Sequence, residues 1–286
     1  MRMRAARVMR HTRKLRMELL FEPLQYHFFR HGLVVALLVG SLCGWLGVYI
    51  VLRQMSYIGH GLAHAVFGGA VTSSLLNLNV YIGAGIWGIM TVLLIDKVAA
   101  RREINADAAI GIITTASFAA GVALMSRTRR FMRDFEATLF GNVLGVATHD
   151  LVIIGLVSVL AGVALIFLYK PLLFSTFDAE VAQVSGVPTR RIQLLFSCIL
   201  AFAILASMQV LGVTLVAAAV VIPAATARLL TSNFAAMLAL STLLGGGTAF
   251  CGMYLSYYLD IASGASIVLL SALCFTAVMG YRHWRN

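Results

Sequence analysis

In the run MSYIGHGLAHAVFGG, from Met55 to Gly69, His60 and His64 stand four residues apart. On a helix that spacing puts both imidazoles on one face, with Cβ atoms about 6 Å apart. Neutral imidazole is the commonest protein ligand for late first-row metals, and two of them supply half of a tetrahedral shell without formal negative charge. A purely structural role, hydrogen bonding to neighbouring helices, would be ordinary for one such histidine; a pair at ligand spacing favours metal. Gly59, Gly61, Ala63, Ala65, Gly68 and Gly69 around the pair are small enough to let another helix, or its mate from a second subunit, come close. Two or more groups from other helices must complete the shell, and Gln209 and Asp260 are the further candidates. His149 and Asp150, adjacent in sequence, could collect a cation or simply begin a helix, where a carboxylate is favoured.

The setting of these residues is a bilayer. The 286-residue chain is 60% hydrophobic and 12% charged, and its mean hydropathy is +0.92, whereas soluble domains carry about 25% charged residues. The net charge of +11 comes from basic residues at the N-terminus and at the ends of apolar runs, the distribution of a membrane protein rather than a nucleic-acid binder. Cys43, Cys198, Cys251 and Cys274 each lie alone in an apolar run, which reads as small core residues and excludes both a disulfide framework and a thiolate metal site.

A hydrocarbon core about 30 Å thick needs roughly 20 apolar helical residues. Nine runs qualify: 32–52, 55–76, 80–96, 107–126, 150–169, 192–209, 211–229, 233–257 and 264–281, with the break near Gly212 the least marked. No strand alternation competes with them, so the expected fold is all-α, a polytopic membrane helix bundle. From Arg53 at a membrane edge, a rise of 1.5 Å per residue puts His60 roughly 10 Å and His64 roughly 16 Å deep, where ionisable groups usually face a pathway rather than lipid.

If the loops holding Arg53, Lys97 to Arg102, Lys170 to Arg191, Arg228 and the tail Arg282 to Arg285 are cytoplasmic, nine spans leave the N-terminus outside, with a minority of arginines at 127, 129, 130 and 133. The basic cluster from Arg2 to Arg16 argues for a cytoplasmic N-terminus instead, and hence eight or ten spans. The amphipathic stretch that begins at Met17 makes that methionine an alternative start. No apolar core of signal-peptide length follows the basic residues.

FDAEVAQVSGVP, residues 177–188, is polar enough to leave the bilayer: Asp178 is placed to cap a short helix, and Gly186 and Pro188 are stop signals. In the run from Gln209 to Leu230, Pro223 must break one intrahelical hydrogen bond and marks a kink or a static bend. No Gly-x-x-x-x-Gly-Lys-Ser/Thr loop, Gly-x-Ser-x-Gly elbow or His-Glu-x-x-His run occurs, so the chain has no means of its own to hold ATP in that manner and little footing as an enzyme.

Taken in order, these runs resemble the permeases of metal-ion ABC transporters for manganese, zinc or iron. GHGLAHAV, Gly59 to Val66, is similar to their G-D-x-L-S-H-A-V run; His64 falls on the family histidine and His60 replaces the aspartate. That replacement removes a hard oxygen ligand and leans the site from manganese toward zinc. FDAEVAQVSGVP is similar to the segment by which these permeases dock their ATPase, which assigns Asp178, Glu180, Ala182, Gly186 and Pro188 to coupling. The run ending IPAATAR and the SYYLDIASGASIVL turn before the last span match family signatures as well.

The resemblance implies a basic and amphipathic segment over 1–31, a transmembrane permease domain over 32–281 and a tail over 282–286. It also implies a multi-pass subunit of the cytoplasmic (inner) membrane that imports a divalent metal by alternating access, with no permanently bound cofactor. Its partners would be a second permease copy, two cytoplasmic ATPase subunits, an extracellular metal-binding protein and membrane lipid, with no nucleic acid. The rival readings are a proton-coupled metal transporter that works without an ATPase, and an intramembrane enzyme or scaffold. Every Asp and Glu lies near the end of a run, which argues against proton coupling.

Overall fold

The computed structural model describes residues 21–99, 105–127, 139, 141 and 146–285, with the side chains of Ser56, Ala106 and Gln209 excepted. The basic cluster of residues 2–16, Met17, and Arg129, Arg130 and Arg133 lie outside these residues. After a 3-10 turn at Pro23–Gln25, the described residues form eleven α-helices and no strand. They are α1 His27–Leu52, α2 Ser56–Leu75, α3 Val80–Ala99, α4 Ala106–Arg127, α5 Thr148–Phe167, α6 Tyr169–Phe177, α7 Ala179–Val184, α8 Thr189–Leu211, α9 Val216–Leu230, α10 Phe234–Leu259 and α11 Ser263–Arg285. The bundle is polytopic and all-helical, the only open architecture that satisfies its own backbone in hydrocarbon.

Seven of these helices are both long and apolar enough to cross a bilayer. The other two runs expected to span fall short for different reasons: α2 is interrupted by histidines and hydroxyls, and α9 has only 15 residues. Gly212, with φ at +76°, supplies the break between α8 and α9.

The helix limits add detail that the apolar runs do not carry. The first helix begins at His27 rather than residue 32, because Phe29 is already buried against Tyr254 and Tyr257 of α10. Helix α11 runs on through Arg282 to Arg285. A separate helix, α6, precedes the short polar one, started without penalty by Pro171 in its first turn. Of the four cysteines, Cys43 is buried but Cys251 is exposed, so the reading as core residues fails there.

Helix α1 runs through the middle of the bundle, packing against α5, α8, α9 and α10. Water-driven burial contributes little between helices in lipid, so close backbone approach and hydrogen bonds must hold them. Gly40 provides the first: a Cβ there would lie 2.5 Å from the carbonyl of Gly245 on α10. One turn on, the Ser241 hydroxyl donates to the Gly44 carbonyl at 2.5 Å. On the outer faces the apolar residues are exposed at helical spacing, as with Val152, Leu156, Val159, Val163 and Ile166 of α5, which is the pattern of a lipid-facing stripe.

The two ends of the bundle differ in chemistry. At one end Arg53 meets Thr176 and Gln193, Arg190 pairs with Asp96, and Arg282 donates to the carbonyl of Leu229. At the other, Tyr26 and Tyr257 lie near each other and Tyr81 reaches Asp150. Arginines that the sequence scatters over 230 positions thus share one face, the arrangement expected of a cytoplasmic surface.

Candidate functional site

Helix α2 starts from a tight turn. Arg53 caps α1, Gln54 takes a left-handed conformation with φ at +55°, and the amide of Met55 donates back to Ile50 at 3.0 Å. One and two turns into α2, His60 and His64 project together: their Nε2 atoms are 3.0 Å apart. With both rings neutral, one Nε2–H donates to the lone pair of the other, so a bound cation would take the place of that shared proton. Two zinc–nitrogen bonds of about 2.0–2.1 Å meeting at about 90–110° span about 2.8–3.4 Å, and the observed separation lies in that interval.

The pair is held by α4. Phe118 meets the His64 ring at 4.5 Å between centroids and also packs on Phe67, while Tyr57 flanks His60 at 6.0 Å. The approach of α4 depends on small residues at the crossing: a Cβ on Gly121 would lie 2.7 Å from the Cα of Gly68. Both histidines are half-buried, and Nδ1 of His64 is buried with no hydrogen-bond partner among the described residues. Such an orphan costs on the order of 1–3 kcal/mol, consistent with a ring placed for its other nitrogen.

Among the described residues no third His, Cys, Asp or Glu joins the pair. Asp260 stands exposed at the turn between α10 and α11, in the left-handed conformation that caps α10. Gln209 belongs to the last turn of α8, and its side chain lies outside the described residues. Asp150 is already used: one oxygen accepts from the Ala147 amide at 3.0 Å at the start of α5, and the other accepts the Tyr81 hydroxyl and lies 3.2 Å from the exposed His149. A second imidazole pair at the same spacing, His27 and His31, sits at the opposite end of α1 with rings 4.8 Å apart. The same four-residue spacing makes this pair legible in the sequence.

Within the polar segment, Asp178 accepts the Val181 amide at 2.9 Å and so caps α7. Ala182 is buried, whereas Asp178, Glu180, Gly186 and Pro188 are exposed. Gly186 ends the helix with φ at +86°, and the next amide, Val187, reaches back to the Ala182 carbonyl at 2.9 Å. Pro223 lies buried in the middle of α9, whose Val220 carbonyl is packed against Gly47 of α1.

Comparison with known proteins identifies the family of the chain. Residues 25–282 match the ABC 3 transport family. The manganese transport system membrane protein MntC of Halalkalibacterium halodurans is 37% identical over 271 residues, covering 92% of this chain and 93% of that protein. The chelated iron transport system membrane protein YfeC of Yersinia pestis is 33% identical over 259 residues, covering 91% and 88%. Among solved structures, PsaBC from Streptococcus pneumoniae in complex with Fab superposes with a TM-score of 0.84 at 30% identity, covering 94% of this chain and 99% of the other. The chain belongs to the ABC 3 transport family, as the resemblance of its motifs to metal-ion ABC permeases predicts.

Proposed function

We propose that this chain is the membrane permease subunit of an ATP-driven importer of a divalent first-row metal ion. The observation that carries this reading is the facing Nε2 atoms of His60 and His64, 3.0 Å apart inside a bilayer-spanning bundle. Relatives named for manganese and iron transport support the cargo class.

One chain offers the ion two nitrogens, so a dimer is the natural source of the rest of its shell. The pair is half-buried, and the exposed face of neighbouring α4 carries Ala116, Ala119, Ala120 and Ala123, over which a second copy can approach closely. Gln209 and Asp260 remain the further ligand candidates within the chain. The segment containing Asp178, Glu180, Ala182, Gly186 and Pro188 docks the ATPase on the cytoplasmic face of the inner membrane. Hydrolysis there drives alternating access around the histidines, Pro223 bends α9, and a metal-binding protein delivers the cargo from outside.

On metal choice, two imidazoles favour zinc over manganese by ligand softness, while the names of the relatives pull toward manganese and iron. The test is uptake of zinc, manganese and ferrous iron into liposomes that hold the permease with and without its ATPase and binding protein. ATP-dependent uptake by the full assembly supports the proposal. Uptake by the permease alone, driven by a proton gradient, would replace it with a secondary transporter.

A further inference from the structure

The α1–α2 turn holds a guanidinium in an unusual setting. Arg53 is half-buried and, among the described residues, has no carboxylate as a hydrogen-bond partner. Its Nε donates to Thr176 Oγ1 at 2.9 Å, and one terminal nitrogen donates to Gln193 Oε1. The other terminal nitrogen donates to Ser175 Oγ at 2.9 Å and to the Leu172 carbonyl at 3.4 Å. Its Cζ also lies over the Phe196 ring, 5.2 Å from the centroid. Taking a cation out of water is costly unless its hydrogens are satisfied, and here neutral groups on α6 and α8 perform that task.

Those acceptors are themselves fixed. The hydroxyls of Ser175 and Thr176 donate to the Leu172 carbonyl at 3.2 and 2.6 Å, which leaves their lone pairs free for the guanidinium. Gln193 spends its amide nitrogen on Met55 Sδ at 3.5 Å. Three elements are therefore tied at one point: α6, continuous with the polar segment of α7; α8; and the root of α2, seven residues before His60. The planar fork of arginine spreads its donors over three nitrogens, a reach that the single nitrogen of an ammonium cannot copy.

We propose that Arg53 is a positioning residue that makes the α6–α7 segment and the root of α2 one lever, so that a displacement of the docking segment is delivered to His60 and His64. This rests on the reading of α7 as the ATPase docking site. The lever is stiff because a guanidinium pulled off α6 would leave a half-buried cation with most of its hydrogens unpaired. It also has room to move: a cavity of about 510 Å³ opens beside it, lined in part by Arg53, Thr176, Arg190 and Gln193.

The test is metal moved per ATP hydrolysed in liposomes holding the complete assembly, with manganese and zinc as parallel probes. Arg53→Gln is expected to keep ATPase association and hydrolysis but to lower the ratio about tenfold, the scale of an ordinary coupling free energy. Arg53→Lys is expected not to restore it. Should Arg53→Gln fail to assemble, the double variant Ser175→Ala, Thr176→Val keeps the arginine, removes two of its acceptors and is expected to lower the ratio several-fold. A wild-type ratio in the assembled variants, or full rescue by lysine, overturns the lever. Absence of ATP-driven uptake in the wild type would instead overturn the transport reading on which it rests.

Discussion

The rings of His60 and His64 meet edge to face, with centroids 4.4 Å apart and planes at 86°. Phe118 packs on the His64 ring as well, with planes at 67°. One helix turn thus aims two ring nitrogens at each other, and an aromatic residue from α4 limits how far the inner ring can swing. A site whose ligands are pre-oriented loses less entropy on binding, which is why each ligand should matter beyond its single bond.

His60→Ala and His64→Ala should each weaken metal binding by at least about tenfold, the lower scale for disturbing even a ligand's supporting partner. His60→Asp should retain binding and move preference from zinc toward manganese, because it exchanges an imidazole for a hard oxygen. Calorimetric titration of both metals into the purified assembly checks both outcomes.

Gly121→Leu should push α4 away from Gly68 and carry Phe118 with it, because even a Cβ has no room at that crossing. Overpacking of this kind typically costs about 1–3 kcal/mol. A lower Tm together with weaker metal binding is the expected result, read by thermal unfolding in detergent and by titration.

Gly186→Ala tests the polar segment. A Cβ there meets open space, so the strain is confined to the backbone at φ +86° and amounts to about 1–2 kcal/mol. The last turn of α7 should loosen and less ATPase should copurify, while metal binding to the permease is unchanged.

Asp150→Asn separates a structural carboxylate from a cargo ligand. It weakens both the cap on α5 and the tie to Tyr81, so the Tm should fall. Metal affinity should stay within about twofold, because the histidine pair and its α4 support are untouched and sites without shared partners behave independently.

The helices were legible because apolar runs of bilayer length leave few alternatives, and Gly212 and Gly186 mark two of the stops by φ values that other residues resist. The histidine pair was legible because a four-residue spacing fixes relative direction on any helix. What lay beyond the sequence was long-range: that Phe118 closes on His64, that Tyr81 reaches Asp150 across 69 positions, and that Arg53 finds its acceptors 119 to 140 residues away. Arg53 reads in sequence as a loop cation at a membrane edge; only the folded chain turns it into the tie between α2, α6 and α8. Helix α6 was missed because its nine residues are neither long enough to span nor polar enough to stand apart from the run before them.

The most direct measurement is equilibrium binding of zinc and manganese to the assembled transporter carrying the double variant His60→Ala, His64→Ala, beside the wild type. The wild type should bind metal in the membrane domain, and the double variant should bind none there while still assembling with its ATPase. Undiminished binding in the double variant would contradict the account, because the imidazole pair would then not be where the cation rests.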